Sequence, residues 1–252
     1  MRRQPFAMLS AAAALLAAPA AVSAEEILVL SSVGIKTVVE ELEPSFEKVS
    51  AHDVAAAFGL ASALKTRIEG GERFDVAILT PVLLDELISK GLVAADSRTV
   101  VARVGLGLMI KAGAQKPEVG TVDDFKRTLL AARSVTYASS GASGVAFLKI
   151  LDDLGIAAEV KAKAKPAASG DEVNANVLGG ASDLAVLPVS EILPVAGAEL
   201  GALFPEPVQT YVSMAAGVSV AARSRAPNDF VAFLAAPSND DIVRAKGMER
   251  VR

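Results

Sequence analysis

An α/β fold built on a parallel-type sheet is what this sequence predicts, and three observations carry the prediction. Beyond the first two dozen residues, short runs rich in β-branched residues alternate with stretches of helical periodicity. Several runs end in serine, threonine or glycine immediately before a helical pattern. Helix starts and stops are marked by capping residues and glycines.

Ile27, Leu28, Val29 and Leu30 read as a buried strand ending at Ser31-Ser32-Val33-Gly34. A helix is expected over 35–49, because Val38, Val39, Leu42 and Phe46 recur at helical spacing. A second helix over 62–69 closes at Gly70 and Gly71. Residues 74–79 form the next central strand, running through Thr80-Pro81 into a helix that reaches Ile88, with Gly91 as its stop. Residues 100–110 read as a long strand interrupted by Gly105 and Gly107. Thr121 caps a helix reaching about residue 131, and Asp124, three residues on, completes a capping box. A strand over 134–138 follows, then the small-residue loop Ser139-Ser140-Gly141-Ala142-Ser143-Gly144, then a helix over 145–154 ended by Gly155. A short helix over 172–178 precedes a buried strand over 184–187, after which Ser190 caps a turn. The remainder holds a strand-like run over 209–221 and two helices, opened by Pro227-Asn228-Asp229 and by Pro237-Ser238-Asn239-Asp240.

Residues 1–24 read as a secretory signal peptide cleaved after Ala24. Arg2 and Arg3 give the positive start, an Ala/Leu-rich stretch containing Pro19 gives the apolar middle, and Val22-Ser23-Ala24 offers small residues for cleavage. Cleavage leaves 228 residues, enough for one large domain or two lobes. The full chain carries a formal charge of −4, and loss of the two arginines takes it to −6. A weakly acidic chain with no long basic run argues against nucleic acid as a partner. With no cysteine, disulfides, thiolate metal sites and thiol nucleophiles are excluded. The single histidine, His52, sits in a polar stretch and cannot build a His cluster alone, so it is expected in a solvated loop.

The strand-to-helix junctions carry the chemistry. Ser31 and Ser32 follow the first strand, Thr80 follows the 74–79 strand, and Ser139, Ser140, Gly141 and Ser143 lie in the loop before the helix at Val145. A helix start presents unpaired N–H groups and partial positive charge, and hydroxyls and glycines there let an anion approach. In an open α/β sheet such junctions gather at the carboxyl ends of the strands, where ligands bind. Each hydroxyl also suits simple N-capping. Neither the P-loop spacing nor a G-x-S-x-G nucleophile elbow is present. Arg103 can serve as a surface ion-pair residue or as a charged ligand contact near a hinge.

Ser31-Ser32 after the first strand, Leu42-Glu43-Pro44-Ser45-Phe46-Glu47, Phe74-Asp75-Val76-Ala77, Tyr137 through Gly144, and Ala245-Lys246-Gly247-Met248 stand in an order that resembles the molybdate-binding periplasmic proteins of ABC importers. The resemblance covers residues 25–252. It implies a two-lobed periplasmic-binding-protein fold of type II, each lobe a mixed sheet flanked by helices, with a two-strand hinge and the ligand clamped between the lobes. Residues 25–105 are then the first part of lobe one, 106–194 lobe two, and 195–252 the return to lobe one. Gly105 and Gly107 fall at the outward crossing, and the return is expected near 194–203. The family commonly places a tyrosine hydroxyl near residues 184–189, and this chain has none there.

The expected function is that of a monomeric periplasmic binder of a small anion, a molybdate-like oxyanion, with no cofactor, no metal and no catalysis. Its partner is the membrane permease of an ABC importer. A small di- or tricarboxylate held for uptake or sensing is the alternative ligand. A secreted enzyme on the same fold is a further alternative, with Asp75 and Glu191 as candidate acid–base groups.

Overall fold

Residues 24–251 are described by a computed structural model; the expected signal peptide lies outside the described residues except for Ala24. The first stretch runs β1 (Glu26–Ser32), a single 3-10 turn (Val33–Ile35), α1 (Lys36–Ser50), β2 (Asp53–Gly59), α2 (Ala61–Glu69), β3 (Val76–Leu79), α3 (Pro81–Ser89) and β4 (Thr99–Lys111). The middle comprises α4 (Val122–Ala131), β5 (Val135–Ala138), α5 (Ala142–Asp153), α6 (Ala157–Lys161), β6 (Lys165–Ala167), α7 (Gly170–Leu178), β7 (Leu184–Pro188), α8 (Val189–Ile192) and β8 (Ala198–Leu203). The last stretch holds β9 (Tyr211–Val218), α9 (Ala226–Leu234), α10 (Asp240–Ala245) and β10 (Met248–Glu249).

The strands follow the order β2-β1-β3-β9-β4-β7-β5-β6, with β8 and β10 also pairing β4. β1, β2 and β3 are parallel, as are β5, β6 and β7; β9 and β4 run antiparallel to their neighbours. Two mixed halves therefore meet in one strand. From Thr99 to Gly105, β4 pairs with β9; from Leu106 to Lys111 it pairs with β7 and β8. Each half is a lobe of a two-lobed α/β fold.

Strand pairing shows where the chain passes between the halves. Residues 198–203, read from the sequence as already returning to lobe one, pair through β8 with the second half of β4. The connection back to β9 covers 204–210. There the Gln209 amide takes over from the sheet ladder: its Oε1 accepts the Leu106 N–H at 2.9 Å and its Nε2 donates to the Leu106 carbonyl at 3.2 Å. Gly105 accommodates this side chain, since a Cβ would sit 3.3 Å from Gln209 Nε2.

Apolar faces predicted from periodicity meet as expected. Val38, Val39, Leu42 and Phe46 of α1 are all buried, and Phe46 stacks edge-on against Phe230 of α9 at 5.0 Å. In the other half, Phe125 of α4 and Phe147 of α5 close on Phe204 at 4.6 and 6.4 Å. Each such ring contributes roughly 1.5–3 kcal/mol through burial. The capping box at Thr121 and Asp124 is present as read from the sequence.

Several elements differ from the reading: α6, β6, β8 and β10 were not expected, and two further differences bear on the site. β2 was not expected, because Asp53-Val54-Ala55-Ala56-Ala57-Phe58-Gly59 lacks a β-branched run; it forms as an edge strand in seven-residue register with β1. α5 starts at Ala142, three residues early, which puts Ser143 and Gly144 into its first turn. His52 precedes β2, partly buried, and its Nδ1 accepts the Glu25 N–H at 3.4 Å.

Candidate functional site

The carboxyl ends of β1, β2, β5 and β7 each feed a helical turn, and those four starts converge between the lobes. They wall a chamber of about 20 Å³ lined by Ser32, Val33, Leu60 and Ala61 from one side and by Gly141, Ala142, Ser143, Pro188 and Glu191 from the other. Ala138, Val212 and Met214 complete it. The first turns of α2 and α5 carry no side-chain cap, and Ala61, Ala142 and Ser143 of those turns line the chamber. Ser143 is 4% exposed there. Ser32 Oγ accepts the Gly34 N–H at 3.4 Å, capping the 3-10 turn while it lines the chamber.

A larger cleft of about 540 Å³ adjoins it, sharing Val33, Leu60 and Glu191. Lys36, Thr37, Phe58 and Gly59 line it from lobe one, and Ser169, Gly170, Asp171, Asn174 and Ser190 from lobe two. Lys36 is the only cation among these described lining residues; its Nζ sits 3.6 Å from Glu40 and 5.5 Å above the Phe58 ring. Asn174 Oδ1 is buried with no hydrogen-bond partner.

Two hydrogen bonds cross between lobes beside these cavities. Ser190 Oγ donates to the Gly34 carbonyl at 2.6 Å, and Ser62 Oγ donates to the Ser140 carbonyl at 3.2 Å. Ser190 thus latches the lobes together, where the sequence assigned it a local cap.

Glu191 stands in the wall common to chamber and cleft. Among the described residues it has no ion-pair partner, and loss of hydration pushes its carboxyl up to about 7. Asp75 plays a different part: its Oδ2 accepts the Leu28 N–H at 2.9 Å near the start of β1, at the far end of the sheet.

The residues singled out from sequence separate into two groups. Ser32, Gly141 and Ser143 line the chamber. Ser31 is fully buried behind it, with its hydroxyl donating to the Ser32 carbonyl at 3.3 Å. Thr80 stands at the start of α3, outside both lining sets. Ser139 is turned to the Ala167 carbonyl at 3.2 Å, and Ser140 contributes its carbonyl to the bond with Ser62. The lobe-one junction that lines the chamber beside Ser32 is Leu60-Ala61; neither residue carries a hydroxyl, so only the change from strand to helix could have marked it. Arg103 lies away from the cleft, 2.7 Å from Glu249 and 4.4 Å above the Tyr211 ring. Tyr137 is buried against Phe147, so neither tyrosine lines the chamber. Among the described residues no group of three or more His, Asp or Glu side chains is arranged to hold a metal ion.

Residues 27–249 match the family model of bacterial extracellular solute-binding proteins. The chain belongs to that family. Among structures similar to this solute-binding protein, the periplasmic molybdate-binding protein of Azotobacter vinelandii superposes with a TM-score of 0.77 at 17% identity, covering 91% of this chain and 100% of that one. The sulfate-binding protein of Mycobacterium tuberculosis superposes with a TM-score of 0.72 at 14% identity, covering 89% and 86%. These likenesses establish the type II fold. An aconitate isomerase from a Pseudomonas species is 32% identical over 225 residues, covering 86% of this chain and 84% of that protein.

Proposed function

We propose that this solute-binding protein works in the periplasm, closing on a small polycarboxylate and presenting it to the permease of an ABC importer. The observation that carries the reading is the paired cavity between lobes. Uncapped helix starts and the Ser32 and Ser143 hydroxyls suit one carboxylate, and the adjoining cleft has Lys36 for another. At about 540 Å³ the cleft falls in the range of small-molecule sites. The absent tyrosine argues against a tetrahedral oxyanion held as in molybdate binders, and a relative named for aconitate supports a tricarboxylate. The hinge is proposed at Gly105–Leu106 and at 204–210. Thermal-shift and calorimetric titration of residues 25–252 with citrate, cis- and trans-aconitate, succinate, molybdate, sulfate and phosphate test this. A polycarboxylate at 100 times its dissociation constant should add about 2.7 kcal/mol. A response to molybdate or sulfate alone would overturn the polycarboxylate reading.

A second reading is that the bound acid is turned over. It is favoured by Glu191, a partly buried carboxyl at the cavity wall with no ion-pair partner among the described residues, and by the isomerase relative. Interconversion of cis- and trans-aconitate by the purified protein is the discriminating measurement.

A further inference from the structure

We infer that Glu191 is the single proton-transferring group of this cleft, carrying a proton between two carbons of a bound unsaturated polycarboxylate. The inference rests on the turnover reading and deepens it. Its basis is placement. Glu191 forms part of both cavity walls, and the larger cleft of about 540 Å³ has room for a polycarboxylate beside it. It reaches across the lobe contact: a Cβ on Gly34 would lie 3.6 Å from Oε1, and one on Gly170 would lie 3.4 Å from Oε2. The other titratable side chains lining the two cavities, Lys36 and Asp171, are exposed at the rim. Removal and return of a proton therefore fall to one carboxylate, on one face of the ligand.

The step balances without a co-reactant. A carboxylate oxygen of Glu191 takes a proton from the methylene carbon flanked by the double bond and a substrate carboxylate. The C–H pair becomes a new C=C bond, the old π pair moves to the far carbon, and that carbon takes the proton back from the Glu191 O–H. Nothing is oxidised or reduced, and no group leaves. Charge delocalised onto the substrate carboxylate is received by the uncapped helix starts of α2 and α5 and by Ser32 and Ser143 in the wall. A carboxyl pushed up to about 7 by burial holds both protonation states near neutral pH, as an acid–base catalyst requires.

The test follows cis- and trans-aconitate by proton NMR in D₂O with residues 25–252, Glu191→Gln and Glu191→Asp. Wild type should interconvert the isomers, with some product retaining the substrate proton, as a single shuttling base allows. Glu191→Gln should lose at least about 100-fold in rate while still binding trans-aconitate by calorimetry. Glu191→Asp should keep part of the rate with a displaced pH profile. Turnover undiminished in Glu191→Gln would overturn the inference and leave the turnover reading standing. Binding with no turnover by wild type would remove both and leave the binder reading intact.

Discussion

Glu191 keeps its charge only at the expense of hydration, because no cation among the described residues replaces the water it loses on folding. Its ordinary value of 4.5 rises to about 7 in the folded chain. Below 4.5 both states hold the proton and its contribution to stability is fully present. As pH rises from 4.5 the unfolded chain releases the proton first, so stability falls until the folded carboxyl ionises near 7. The loss is on the order of 3 kcal/mol. Urea denaturation between pH 4.5 and 8 should show this decline in wild type and a flatter profile in Glu191→Gln; equal slopes would refute it. At this scale the sequence revealed chemistry but not surroundings. Ser32, Gly141 and Ser143 were visible as donors at junctions, and Glu191 as an acid. Its surroundings include Gly34 and Gly170, both distant in sequence, where a Cβ would lie 3.6 and 3.4 Å from its carboxylate oxygens.

α5 shows why an element boundary can shift while its identity is plain. Its apolar pattern marked a helix, but the start was hidden by four small residues that suit either a loop or a first turn. Packing decides: Gly144 lies so close to the Ala138 carbonyl that a Cβ there would overlap the oxygen. Gly144→Ala should therefore lower stability by more than 2 kcal/mol in chemical denaturation, despite alanine's better helix propensity. Thr121→Ala, which removes only a cap, should cost about 1 kcal/mol. β2 was illegible for the opposite reason. Its alanines carry no strand preference, and it is fixed by pairing with β1 along its full length.

The two-lobe organisation was legible through alternation and motif order, whereas the strand that joins the lobes was read only as a long run with glycines. Its dual pairing, and the Gln209 amide that bridges the change of partner, depend on contacts 103 residues apart. The latches at Ser190 and Ser62 are likewise long-range, at separations of 156 and 78 residues. Each hydrogen bond is worth about 1 kcal/mol, so removing both with Ser62→Ala and Ser190→Ala should open the ligand-free protein. Small-angle scattering should record a larger radius of gyration, and calorimetry a weaker ligand affinity. An unchanged radius would mean that other contacts hold the lobes together.

The strand order also bears on the protein's birth. β3 pairs on one side with β1 and on the other with β9, through Leu79 and Ala215. During synthesis the first three strands therefore wait for a neighbour that is translated some 130 residues later. Until then the fully buried row Val76–Leu79 is an open edge, and lobe one cannot seal. In lobe one, then, the centre of the sheet is completed by nearly the last strand to be made, so this half closes only when most of the polypeptide is in hand.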